Sequence, residues 1–152
     1  MRELDNKILI IGIGNSGRAD DGLGWAFVDA VKDRLPESFD FEYRYQLQIE
    51  DAELIGHYAR VYFVDADIAS YEEGFRLSSC KPNAVHGFTT HELEPGTVAY
   101  LAEDLYNNKP EAFMLGITGY NFELELGLSE GAKANLLGAL KFFDEKILNL
   151  VI

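Results

Sequence analysis

The chain has 152 residues, with 13 Lys and Arg against 26 Asp and Glu, a net charge of −13. This length fits one domain, taken as residues 1–152, and the 47% apolar content suffices for a core burying roughly 68 to 70% of the unfolded surface. The acidic balance argues against non-specific binding of nucleic-acid phosphates or anionic lipid, and a lone cysteine, Cys80, excludes a disulfide framework or a Cys-rich zinc site within the chain. A reducing cytoplasm fits such cysteine usage. The N-terminal stretch before Gly12 is too short and too acidic for a secretory signal, and no apolar run reaches the roughly 18 residues of a membrane span.

In chain order, Ile8-Leu9-Ile10-Ile11 is a β-branched run closed by Gly12, the pattern of a central strand buried on both faces. Apolar residues from Leu23 to Leu35 fall near helical spacing, with Pro36 as the stop. Phe39 to Tyr45 alternates aromatic and charged residues, predicting a half-exposed strand near the sheet edge. A short helix over Glu50 to Tyr58 follows, then a second buried strand from Arg60 to Ala66. Alternating strands and helices predict a wound α/β sheet. From Ser70 to Glu94 we expect one strand plus loop. Pro95 to Tyr106 reads as a helix, Ala112 to Thr118 as a strand, and Ser129 to Leu150 as a long helix with Ser129 as its N-cap.

Gly12-Ile13-Gly14-Asn15-Ser16-Gly17 matches the G-x-G-x-x-G pattern of dinucleotide-binding folds. In that motif the helix starts at the glycines, so that its amides hold a pyrophosphate. Here the helical pattern starts near Leu23, and the intervening Asp20-Asp21 would repel a phosphate. A plain turn with one Asp capping the helix would not need so many glycines beside two acids. Carboxylates at the carboxyl end of a strand, where open α/β sheets place their ligands, point instead to metal coordination.

Asp65 closes the strand beginning at Arg60. If that strand runs parallel to the first, Asp65 and the Asp20-Asp21 loop share one sheet edge; capping of the following turn by Asp65 is the alternative. Asp67 is expected to be exposed, and His57 to sit on the surface at a helix C-terminus. His86 carries little signal, whereas His91 lies in a loop just before a helix. Two Asp and one His with open positions suit nickel, zinc, iron or cobalt better than calcium. There is no G-x-S-x-G elbow, H-E-x-x-H helix or P-loop lysine; Cys80 with His86 or His91 is a weaker thiol alternative.

Gly12-Ile13-Gly14-Asn15 followed by Arg18-Ala19-Asp20-Asp21-Gly22-Leu23-Gly24 resembles the signature of the nickel-iron hydrogenase maturation proteases. Phe63-Val64-Asp65-Ala66 is similar to that family's strand ending in Asp-Ala, and Thr90-His91-Glu92-Leu93 to its His loop. Gly119-Tyr120-Asn121-Phe122 and Gly127-Leu128-Ser129 resemble the stretch before its final helix. The resemblance implies a three-layer α/β/α sandwich, phosphorylase/hydrolase-like, with a mixed, mainly parallel five-stranded sheet. It implies an endopeptidase, active as a monomer, that removes a C-terminal extension from the hydrogenase large-subunit precursor once nickel is inserted. Carried over by position, Asp21, Asp65 and His91 are the metal-binding and catalytic residues, acting on a nickel ion presented by the substrate; other divalent transition metals also suit the site.

Around these, Asp20 is expected to orient a ligand and Asn15 to donate to a developing oxyanion. The family's Asp-Gly-Gly-Thr-like turn, thought to hold the peptide being cut, is replaced here by Tyr45-Gln46-Leu47-Gln48-Ile49, which makes Gln46 and Gln48 substrate-loop candidates. That departure keeps a second reading open, a non-catalytic nickel-dependent checkpoint protein on the same scaffold. Nucleotide binding through Gly12–Gly17 is the third.

Overall fold

Six consecutive buried residues form β1, Ile8–Ile13, the central spine of the sheet. The computed structural model describes residues 7–82 and 93–149. After β1 come α1 (Leu23–Val31), β2 (Phe39–Arg44), α2 (Glu50–Ile55), β3 (Arg60–Asp67), β4 (Phe75–Ser79), α3 (Pro95–Tyr106), β5 (Glu111–Thr118) and α4 (Glu130–Phe143). The sheet order is β2-β1-β3-β5-β4. Pairings are parallel from β2 through β5, and β4 runs antiparallel to β5, so the expected mixed, mainly parallel five-stranded sheet is present.

Side-chain alternation explains the layers. Ile8 and Ile10 of β1 with Tyr62 and Val64 of β3 pack against Phe27, Val28 and Val31 of α1 and Ala139 and Phe143 of α4. Leu9 and Ile11 with Val61 and Phe63 face the opposite way, against Ala52 and Ile55 of α2 and Val98, Leu101 and Ala102 of α3. Strands buried on both faces cannot show a polar alternation, which is why β1 and β3 read as continuous apolar runs.

The boundaries differ from the sequence reading in physically specific ways. The first helix stops at Val31 and continues only as a 3-10 turn over Lys32–Arg34; Leu35 is extended (ψ 139°), as a residue before proline must be. The second ends at Ile55, and the amides of Gly56, His57 and Tyr58 bond back three residues instead. The last helix changes to π geometry over Asp144–Leu148. Ser129 is its N-cap, its Oγ accepting from the Ala132 amide at 3.2 Å. β2 is an edge strand, as expected, and β4 is a strand among the described residues of 70–94.

Chain path fixes where a ligand can sit. The β1–α1–β2 crossover places its helix on one face and the β2–α2–β3 crossover on the other. The strands succeeding β1 thus flank it on both sides, and a crevice opens between the carboxyl ends of β1 and β3, the position where open α/β sheets bind ligands. None of the helices among the described residues is long and apolar enough to cross a membrane.

Candidate active site at the carboxyl edge of the sheet

A cleft of about 500 Å³ occupies this crevice. Its walls include Ile13 and Gly14 from the end of β1, Asp65 to Ile68 from the end of β3, Tyr45 to Leu47 after β2, and Leu93 to Pro95 leading into α3. Asp21 and Asp65 both line it. The parallel pairing of β1 and β3 that would bring them to one edge is therefore present.

Close backbone approach builds the first wall. Gly14 has φ of +149°, and a Cβ there would stand 2.0 Å from the Asp21 carbonyl oxygen. That carbonyl accepts from the Asn15 amide at 3.1 Å, folding the 15–21 loop back onto its own strand. Gly24, at the start of α1, lies against the sheet so tightly that a Cβ would meet the carbonyls of Ile13 at 2.4 Å and Val64 at 2.5 Å. These glycines serve backbone contact. α1 begins at Leu23, beyond the glycine motif and with Asp20 and Asp21 before it, which leaves no dinucleotide-type helix start at the glycines.

Between them, Ala19 takes a left-handed conformation (φ 51°), which costs a non-glycine residue of order 1 kcal/mol. It opens the 3-10 turn Ala19–Gly22, in which adjacent carboxylates part company. Asp21 turns to the cleft. Asp20 is fully buried, with its oxygens accepting from the Ser129 amide (2.7 Å), the Tyr120 amide (2.8 Å), the Asn121 amide (3.0 Å) and the Ser129 hydroxyl (2.7 Å). Burial pushes its carboxyl upward, but these four bonds prevail and hold it below the ordinary value. Asp20 is thus a clamp on the 120–129 loop, and it acts on Asp21 through the turn the two share.

Other positions also move from their expected roles. Asn15 does not line the cleft; its Oδ1 accepts from the Gly17 amide at 2.8 Å inside its own turn, a turn-forming contact. Gln46 lines the cleft and Gln48 does not. The Gln48 amide instead donates to buried Asp51 at 2.9 Å, whose other oxygen accepts from Arg44 Nε at 3.1 Å. Asp67, expected exposed, is half-buried in the cleft wall. It accepts from the Ala69 amide at 2.9 Å and the Tyr71 hydroxyl at 2.5 Å. Asp65 Oδ1 accepts from the adjacent Ala66 amide at 2.8 Å.

His57 is exposed and 3.9 Å from Glu53, a surface residue as read. Cys80 is half-buried, and burial followed by the charge of Glu94 pushes its thiol up, the reverse of what a thiolate nucleophile needs. His86 and His91 lie outside the described residues. Leu93, two positions beyond His91 in the chain, lines the cleft and forms an antiparallel bridge with Leu47. Among the described residues no group of three or more His, Cys, Asp or Glu is placed to hold a metal. Asp21 and Asp65 supply carboxylate oxygens to one cleft, a donor type that suits a divalent ion with further ligands from elsewhere.

Sequence reasoning missed Phe122, Glu94 and Met114 in the cleft wall, and Arg18, whose guanidinium donates to the Phe122 carbonyl at 3.1 Å. Arg18, Glu94 and Phe122 lie outside the strands and α-helices, where periodicity carries no signal, and nothing in the β5 pattern sets Met114 apart from its neighbours. Arg18 is the one cationic side chain on the described walls, against Asp21, Asp65, Asp67 and Glu94.

No family model matches the sequence, and no curated protein does. Solved structures do. A [NiFe] hydrogenase maturation protease HycI from Thermococcus kodakarensis matches at 21% identity and a TM-score of 0.72, covering 92% of this chain and 91% of that one. The chain has the fold of the hydrogenase maturation proteases. The hydrogenase maturating endopeptidase HybD of E. coli matches at 18% identity and TM-score 0.70, over 95% and 93% of the two chains. A hydrogenase 2 maturation peptidase from a thaumarchaeon gives 22% and 0.66, over 91% and 96%.

Proposed function

We propose that this protein is a metal-directed endopeptidase that removes the C-terminal extension of a nickel-iron hydrogenase large-subunit precursor after nickel insertion, acting as a monomer in the cytoplasm. One observation carries the reading: Asp21 and Asp65, 44 residues apart in sequence, line one cleft at the β1/β3 crevice of a fold shared with hydrogenase maturation proteases.

In this reading Asp21, Asp65 and His91 give two oxygens and one nitrogen to the nickel that the precursor carries, or to another divalent transition metal in the same place. Such an ion supplies Lewis acidity toward the scissile carbonyl, or a bound water acidic enough to attack near neutral pH. The chain's own residues do the positioning. The Ala66 amide holds one oxygen of Asp65 and biases which oxygen faces the cleft. The Asp20 clamp fixes the turn that carries Asp21, so the two carboxylates are held in place before substrate arrives. The acidic walls favour a cationic occupant, and 500 Å³ lies in the range of small-ligand clefts, enough to hold a short stretch of chain. Gln46 offers an amide from the loop that replaces the family's substrate turn.

Incubation of nickel-loaded precursor with wild type and with Asp21→Ala, Asp65→Ala and His91→Ala, read by intact mass, tests this. Wild type alone should release a C-terminal peptide, with each variant slower by roughly 100-fold or more. An uncut precursor in a nickel-dependent complex with wild type would make the protein a non-catalytic checkpoint instead.

A further inference from the structure

The four most exposed large apolar side chains among the described residues are Leu126 (86%), Leu124 (85%), Ile68 (84%) and Tyr45 (70%). All four lie on loops at the carboxyl edge of the sheet, following β5, β3 and β2. Ile68 and Tyr45 line the cleft, as does Phe122, two residues before Leu124. Exposed apolar groups gathered at one edge of the sheet, on loops that line a shared cleft, mark a contact surface, whereas scattered ones mean nothing.

The 120–128 loop is also built to hold its shape. Asp20 accepts from the Tyr120 and Asn121 amides, and Asp20 and Ala19 return bonds to the carbonyls of Asn121 and Glu125, both at 2.8 Å. Asn121 Nδ2 donates to Glu125 Oε1 at 2.6 Å, and Arg18 holds the Phe122 carbonyl. Between these ties, Leu124 and Leu126 alternate with Glu123 and Glu125 and point to solvent. A loop so pinned loses little conformational freedom on contact.

We infer that Leu124 and Leu126 dock the folded body of the polypeptide whose extended segment enters the cleft, against an apolar patch flanked by Lys or Arg. This rests on the peptidase reading and names the surface that selects the substrate. The leucines face outward along a rim, unlike the concave walls a small molecule needs. A second copy of this chain would set Glu123 and Glu125 against a protein of net charge −13, and like charges across an interface are costly. A basic face on the substrate protein complements both the leucines and the glutamates.

The test uses the nickel-loaded large-subunit precursor, with Leu124→Ser/Leu126→Ser beside wild type and beside Leu105→Ser, an exposed position in the last turn of α3, away from its cleft end. The double variant should melt with wild type, bind the precursor roughly tenfold more weakly and raise KM by a similar factor with kcat retained, while Leu105→Ser changes none of these. A wild type that cuts, together with a double variant of unchanged Kd and KM, overturns the docking surface and leaves the peptidase standing. A wild type that neither binds nor cuts the precursor removes both. A dimer in solution that the double variant dissolves assigns the leucines to self-association and overturns the inference.

Discussion

Two turns bring a carboxylate to the cleft, and they are anchored in opposite styles. The turn after β1 is held from far along the chain: Asp20, next to Asp21, bonds to Tyr120, Asn121 and Ser129, about 100 residues away. The turn after β3 is held by its own residues and by the neighbouring strand. There Asp67 accepts from Ala69 and Tyr71, and Thr118 at the end of β5 donates to the Ala69 carbonyl at 2.7 Å. Both anchors meet at the end of β5, where the Gly119 amide donates to the Asp67 carbonyl at 2.9 Å and a Cβ on Gly119 would stand 2.9 Å from Asp20 Cβ. One half of the site thus depends on a closure about 100 residues long, and the other on its own residues together with the strand beside it.

The comparison breaks most sharply at Asp20. Asp20→Ala leaves three amides and a hydroxyl without their acceptor in a buried place, and should cost about 2–4 kcal/mol, seen in chemical denaturation. Asp20→Asn keeps the shape but puts donors where acceptors are needed, and should fall between. The folded carboxyl of Asp20 lies below its ordinary value of 3.8. Its contribution is therefore present above that pH and is lost as pH falls through the lowered folded value. Wild type and Asp20→Ala should converge in stability at the acid end and differ fully at neutrality. Equal destabilisation at every pH would show that the clamp acts as packing alone.

Ser129 comes next, because its hydroxyl does two jobs: it donates to Asp20 and accepts from the Ala132 amide as the cap of α4. Ser129→Ala should cost about 1–2 kcal/mol, and in a double variant with Asp20→Ala its effect should shrink, since the shared bond is already gone. Strict additivity in denaturation would separate the cap from the clamp.

The same contrast sets what could be read from the sequence. Local signals were legible: β1 and β3 as doubly buried runs, α3 from Pro95 to Tyr106, Ser129 as a cap, and Asp65 with the Asp20-Asp21 loop at one sheet edge once the strands are parallel. The partition between Asp20 and Asp21 came from the family resemblance alone, because nothing in two adjacent aspartates tells which one meets amides 100 residues later. Asp67 was misplaced because the Tyr71 hydroxyl that draws it in is an i+4 contact across an irregular turn, which no periodicity records. In the 120–128 loop the leucines alternate with glutamates as in a half-buried strand, although no strand forms there, so its periodicity misleads.

The smallest effect belongs to the local anchor. Tyr71→Phe removes one bond to Asp67 and leaves the Ala69 and Thr118 bonds in place, so it should cost about 1 kcal/mol or less and shift the midpoint only slightly. Its pH dependence should mirror that of Asp20. The bond to the Asp67 carboxylate, then burial, then the charge of Asp67 raise the Tyr71 phenol above its ordinary 10.0. A raised folded value means that the contribution is complete below pH 10 and fades as pH climbs through it, because the unfolded chain loses that proton first. Wild type and Tyr71→Phe should therefore converge at the alkaline end, where wild type and Asp20→Ala remain apart. If both pairs converge at the same end, the two turns do not melt as separately anchored units, and a carboxylate network common to both must carry the difference.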